Sequence, residues 1–186
     1  MLEEIIIAGF GGQGVLSMGQ TLSYAAMVEG KEISWMPSYG PEMRGGTANC
    51  ITIISDKQIS SPIISKFDTA IVLNQPSLDK FESRVKPGGF LLYESNSIIN
   101  LPTRKDIDII GIPAAEKAVE LNNSKVLNMI ILGAYLEKRQ IVKFDSVIEA
   151  LRKVLPERYH NLLPLNRKAL EVGAEFVKSG SEVVKQ

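Results

Sequence analysis

Apolar positions form short continuous runs through the first two thirds of the chain and take helical spacing in the last third. Ile5-Ile6-Ile7, inside Glu4–Ala8, is continuous and β-branched, the pattern of a strand buried on both faces. Val15, Leu16, Leu22, Ala25, Ala26 and Met27 then recur at helical spacing, predicting a helix from Val15 to about Glu29 that Gly30 stops. Further strands are predicted at Lys31–Met36, Ala48–Ile54, Ala70–Leu73, Phe90–Tyr93 and Asp108–Ile110. A loop rich in breakers, residues 37–47, separates the second strand from the third. Pro76 suits a first helical turn, with Asn74 or Ser77 as its cap. Lys86-Pro87-Gly88-Gly89 reads as a turn.

The last third is helical. Ser124–Arg139 is apolar nearly all round, which predicts a helix either buried inside the protein or lying at a subunit interface. Phe144–Val154 is amphipathic, and Pro164–Lys178 is a further helix. Strands alternating with helices define an α/β fold: three α/β/α layers around a mainly parallel sheet covered on both faces. The 186 residues make one domain, 1–186, with residues 157–186 as a C-terminal helical extension.

Charge narrows the function. Lysine plus arginine equal aspartate plus glutamate at 21 each, so no global field favours nucleic acid or a membrane surface. No apolar run reaches the ~18 residues of a spanning helix. "MLEE" lacks the cationic start of a signal peptide, so a cytoplasmic location is expected. Cys50 is the one cysteine and His160 the one histidine. A disulfide, a cysteine-held cluster or a histidine-rich zinc site within the chain is therefore not expected, and no metal ligand is assigned. Cys50 reads as a small buried strand residue, His160 as a surface or helix-end residue, and Ser60-Ser61-Pro62 as an ordinary loop. Trp35 and Tyr39 belong to the core, to the wall of a crevice or to a subunit contact.

The candidate chemistry lies in "IIIAGFGGQGVLS", residues 5–17. Gly9-x-Gly11-x-x-Gly14 between a strand and a helix is the dinucleotide-binding spacing. Glycines allow a tight turn and close backbone approach, and the helix N-terminus offers free N–H groups to an anion. NAD also needs an acidic residue at the end of the second strand for the ribose hydroxyls. That end is Trp35-Met36-Pro37, and Glu32 sits at the wrong end. Another phosphate-bearing ligand fits better, and a loop that merely turns the chain is the alternative. The loop after strand two, "PSYGPEMRGGTANC", would lie beside the glycine loop in a doubly wound sheet. Its Arg44, Gly45, Gly46 and Thr47 make a phosphate or carboxylate clamp, unless Arg44 simply pairs with Glu42 in a solvated turn.

Four segments in order, "GFGGQGV", "YGPEMRGGTANC", "SSPIISKFDTAIVLNQPSLDKF" and "NMIILGAYLE", resemble the gamma subunit of the 2-oxoacid:ferredoxin oxidoreductases, most closely the 2-oxoglutarate type. The resemblance spans residues 4 to about 155. It implies a domain like domain III of pyruvate:ferredoxin oxidoreductase, covering the catalytic centre of a cytoplasmic hetero-oligomer. The complete enzymes oxidatively decarboxylate a 2-oxoacid, transfer the acyl group to coenzyme A and reduce ferredoxin. Thiamine diphosphate and iron–sulfur clusters are implied in partner chains only, so no catalytic residue is assigned here and the isolated chain is expected to be inactive. Gly11, Gly12, Gln13 and Gly14, with Arg44, Gly45, Gly46 and Thr47, would face the phosphates of coenzyme A. Asn128 lies in a family-like segment with no assigned role. The competing readings are a free-standing NAD(P)-dependent oxidoreductase and a purely architectural subunit.

Overall fold

The computed structural model describes residues 1–38 and 47–180. Six strands form one sheet in the order β2-β3-β1-β4-β5-β6. They are β1 (Leu2–Phe10), β2 (Glu32–Ser38), β3 (Thr47–Ser55), β4 (Phe67–Val72), β5 (Val85–Glu94) and β6 (Asp108–Ile112). The helices are α1 (Val15–Val28), α2 (Gln75–Phe81), α3 (Ala114–Glu120), α4 (Leu127–Arg139), α5 (Phe144–Val154) and α6 (Leu163–Lys178). The expected α/β/α fold is present. The sheet is mostly parallel: β1, β4, β5 and β6 pair in parallel, while β3 runs antiparallel to both β1 and β2. β3 therefore lies between β2 and β1, where a doubly wound sheet would pair those two directly.

β1 is central, which explains its unbroken apolar run. Ile5 and Ile7 face one core cluster and Ile6 and Ala8 the other, all at most 1% exposed. The two faces are covered unequally. α1, α3, α4, α5 and α6 contribute to one cluster; α2 covers the other through Leu78 and Phe81. Asn74 caps α2, its side-chain oxygen accepting from the Ser77 N–H at 2.9 Å.

α4 resolves the alternatives its sequence left open. Met129–Leu136 is enclosed by the chain's own elements, so this apolar stretch is core. It packs against α6 at a crossing of small residues. A methyl group added at Gly133 would run into the Leu170 carbonyl, and one at Gly173 into the Ile130 carbonyl. The α4–α6 backbones meet there because neither glycine has a side chain.

Two other expectations change. Lys86-Pro87-Gly88-Gly89 does not precede a strand; it bulges out of β5. Val85 pairs with Phe67 and Phe90 with Thr69, so the four residues fall in a break of the ladder, with Gly88 at φ 74°. Residues 114–120, given no element above, form α3.

Candidate functional site

The site is built where β1 and β4 end. Helix α1, after β1, packs on one face of the sheet, and α2, after β4, on the other. The strand order thus reverses between β1 and β4, opening a crevice at their carboxyl ends, the usual ligand position in open α/β sheets. The glycine loop lies at this point. Gly11 and Gly12 are exposed, and Gln13 and Gly14 are half-buried. Gly12 and Gly14 hold φ of 94° and 76°, a region that side-chain-bearing residues avoid.

Gly14 is the N-cap of α1 and supplies no side-chain cap, and the first turn carries no acid. The first helical bond runs from the Met18 N–H to the Gly14 carbonyl at 2.8 Å. The N–H groups of Val15, Leu16 and Ser17 therefore have no acceptor within the helix. The same three residues line a cavity of about 240 Å³, with Phe10, Gly11, Gly12, Gly14 and Ala48. A larger hollow of about 530 Å³ lies between α3 and α6, but its rim mixes Lys117 and Lys168 with Glu120, Glu171 and Glu175.

Of the second loop, Arg44, Gly45 and Gly46 lie outside the described residues, as does Tyr39. Thr47 pairs through its backbone with Phe10, and Ser38 pairs with Asn49, itself the partner of Ala8. Both flanks of residues 39–46 thus stand at the sheet end that carries the glycine loop. These flanks reach that end through the antiparallel pairing of β3 with β1 and β2, in place of the expected parallel arrangement.

Asn128 acquires a place. It opens α4 beside the glycine loop, and a Cβ built on Gly14 would stand 2.5 Å from its side-chain nitrogen. No sequence signal links the two positions. The Gln13 carboxamide is engaged within the chain: its oxygen accepts from the Phe10 N–H at 2.6 Å and its nitrogen donates to the Leu73 carbonyl at 3.2 Å.

The remaining singled-out residues are structural. Cys50 is wholly buried under Gly19 of α1, with Trp35 and Thr52 beside its sulfur. Burial pushes its thiol up to about 12, and the thiol donates weakly to the Val15 carbonyl at 3.7 Å. His160 lies 3.0 Å from the Leu155 carbonyl through Nε2. Among the described residues no cluster of three His, Cys, Asp or Glu is arranged to hold a metal ion. None of their helices is long and apolar enough to cross a membrane.

The strand–glycine loop–helix unit at the switch point of a mixed six-stranded sheet defines an α/β domain with a candidate anion site. The chain belongs to the pyruvate ferredoxin/flavodoxin oxidoreductase family, which it matches over residues 4–176. It is 39% identical to the ketoisovalerate oxidoreductase subunit VorA of Methanothermobacter marburgensis, over 96% of this chain and 37% of that protein. It thus spans about a third of that longer relative. It is 34% identical to the 2-oxoglutarate synthase subunit KorC of Methanocaldococcus jannaschii, over 95% of this chain and 96% of that one. Among solved structures it resembles the keto/oxoacid ferredoxin oxidoreductase gamma subunit of Geobacter sulfurreducens, with a TM-score of 0.80, 30% identity and coverage of 95% and 99%. The fold also matches the 2-oxoglutarate:ferredoxin oxidoreductase of Magnetococcus marinus, solved with 2-oxoglutarate, coenzyme A and succinyl-CoA bound. That match has a TM-score of 0.86, 23% identity, and covers all of this chain and 32% of that one.

Proposed function

We propose that this chain acts as the gamma subunit of a cytoplasmic 2-oxoacid:ferredoxin oxidoreductase, where it helps bind coenzyme A and closes the catalytic centre formed with partner subunits. The observation that carries the reading is the open first turn of α1: three N–H groups without helical acceptors, no capping side chain and no first-turn acid, beside a cavity at the switch point. Such a terminus suits a phosphate, and coenzyme A offers a pyrophosphate and a 3′-phosphate. NAD is disfavoured, because β3 separates β1 from β2 and Glu32 pairs with Ser55 at the far end of the sheet. Thiamine diphosphate and the iron–sulfur clusters are assigned to partner chains, with ferredoxin as the electron acceptor. The oxoacid proposed is 2-oxoglutarate, on the match along nearly all of KorC. Ketoisovalerate is the second reading, favoured by the higher identity to VorA. Comparing kcat/KM for the two acids in the assembled enzyme decides between them.

Arg44 tests the coenzyme assignment. Arg44→Ala is expected to raise the KM for coenzyme A about 10- to 150-fold, the loss of one charge-assisted contact of about 1.5–3 kcal/mol. Single-turnover consumption of the oxoacid should be retained, since that chemistry is assigned to other chains. Arg44→Lys should recover only part of the KM, because an ammonium lacks the planar fork. An unchanged KM removes Arg44 from the site, and equal loss of both activities makes it a structural or substrate-side residue.

A further inference from the structure

One side chain stitches the glycine loop together. The Gln13 N–H returns to the Phe10 carbonyl at 3.2 Å, closing a tight turn. Its carboxamide oxygen then takes the Phe10 N–H at 2.6 Å, and its nitrogen reaches the Leu73 carbonyl at 3.2 Å. Phe10 is the last residue of β1, and Leu73 the first beyond β4. The Leu73 N–H donates back to Ala8 of β1 at 2.9 Å. A single carboxamide therefore spans the switch point and ties both strand ends to the loop between them.

The first glycine of the fingerprint makes room for this clip. A Cβ on Gly9 would stand 2.7 Å from Gln13 Oε1 and 3.0 Å from Leu73 Cβ. The clip takes the Phe10 N–H for the protein itself and leaves the first-turn N–H groups of α1 for a ligand. It also restrains the stretch that carries Gly12 and Gly14, whose left-handed conformations would otherwise be only two among many.

We infer that Gln13 is a positioning residue: its carboxamide fixes the glycine loop before the ligand arrives and makes no contact with the ligand itself. This rests on the reading that the loop meets the phosphates of coenzyme A. Ordering the loop in advance removes part of the entropy cost of binding.

The test uses the assembled enzyme carrying Gln13→Met, which keeps the length but forms neither bond, and Gln13→Glu. Hydrogen exchange is followed in a peptide covering residues 8–18, with and without coenzyme A, alongside the KM values. In the coenzyme-free enzyme Gln13→Met should speed exchange there about 5- to 30-fold and raise the KM for coenzyme A by a similar factor, the loss of two ordinary hydrogen bonds. The KM for the oxoacid should stay within about twofold. Gln13→Glu should show a penalty that shrinks from pH 8 to pH 6, because only the protonated acid can donate to the Leu73 carbonyl while accepting from Phe10. A raised KM for coenzyme A without faster exchange in the coenzyme-free enzyme would make Gln13 a direct contact and overturn the inference. If both quantities are unchanged while coenzyme A still protects the wild-type peptide, the clip is overturned and the coenzyme site stands. A wild-type peptide indifferent to coenzyme A would overturn the site reading and the inference with it.

Discussion

The parallel strands β1, β4 and β5 begin in one kind of chemistry and end in another. At their amino ends the charges are matched. Glu3, 5% exposed, receives the Arg139 guanidinium at 2.9 and 3.0 Å and the Thr69 hydroxyl at 2.6 Å, with the Tyr135 hydroxyl at 3.4 Å. Beside it Lys86 bridges Glu4 and Asp68 at 2.5 and 2.7 Å. At the carboxyl ends buried polar atoms are left over. Asn74 Nδ2, Ser77 Oγ and Glu94 Oε2 have no hydrogen-bond partner among the described residues, and the first turn of α1 is uncapped. A buried polar atom without a partner costs about 1–3 kcal/mol. One end of the sheet is closed by its own residues and holds the fold, and α4 runs between the two, from Asn128 near Gly14 to Arg139 on Glu3. The other end leaves the first turn of α1 uncapped, the feature on which the proposed coenzyme site rests.

The largest expected effect falls on the closed end. Glu3→Ala removes the acceptor of Arg139, Thr69 and Tyr135 together. Breaking a buried ion pair costs about 3–5 kcal/mol. Arg139 retains 28% side-chain exposure, so part of its charge is rehydrated and a loss of about 2–3 kcal/mol is expected in urea unfolding of the purified chain. In the assembled enzyme the KM for coenzyme A should not change. A shifted KM with unchanged stability would reverse the roles assigned to the two ends.

Gly14→Ala is the mirror experiment at the open end. Its φ of 76° costs an L-residue about 1–2 kcal/mol, and the new methyl meets Asn128. The KM for coenzyme A should rise about tenfold or more, because the cap that aims the α1 N–H groups shifts, as expected for a one-interaction loss of about 1.4 kcal/mol. A stability loss at unchanged KM would make the loop architectural.

The closed end and the open end were not equally legible in the sequence. The continuous Ile5–Ile7 run carries its meaning locally, because a strand buried on both faces needs no polar alternation. The glycine spacing between strand and helix was local too, and the loop lies where the pattern put it. The direction of β3 was available in principle. A parallel return needs a crossover of about a dozen residues or more, and residues 39–46 are too short for one. Composition alone could not place α4: an all-round apolar helix looks the same under a partner subunit as under α6. The telling residues are Gly133 and Gly173, which only the crossing explains. The amino-end network joins Glu3 to Arg139, and the Gln13 clip reaches Leu73, across separations of 136 and 60 residues. Side-chain destinations at such range have no periodicity to betray them.

The smallest effect comes from the outer pair of the closed end, and it is separated by pH. Burial alone would lower the Lys86 pKa, but hydrogen bonds and charge from Asp68 and Glu4 raise it above its ordinary 10.5. A lysine whose folded-state pKa is raised stabilises the fold fully below its unfolded value and loses that contribution as pH climbs through the folded value. Lys86 is 37% exposed, so screening limits the contribution to about 0.5–1 kcal/mol. Wild type and Lys86→Met should therefore differ by a constant small amount in urea midpoint from pH 6 to pH 9. The gap should close above the ordinary 10.5. Glu3→Ala should behave differently there, because the Arg139 guanidinium, raised by its hydrogen bond to Glu3, stays charged through the same range. A Lys86 gap that persists undiminished at strongly alkaline pH would show that its methylene stem supplies the stability in place of its charge.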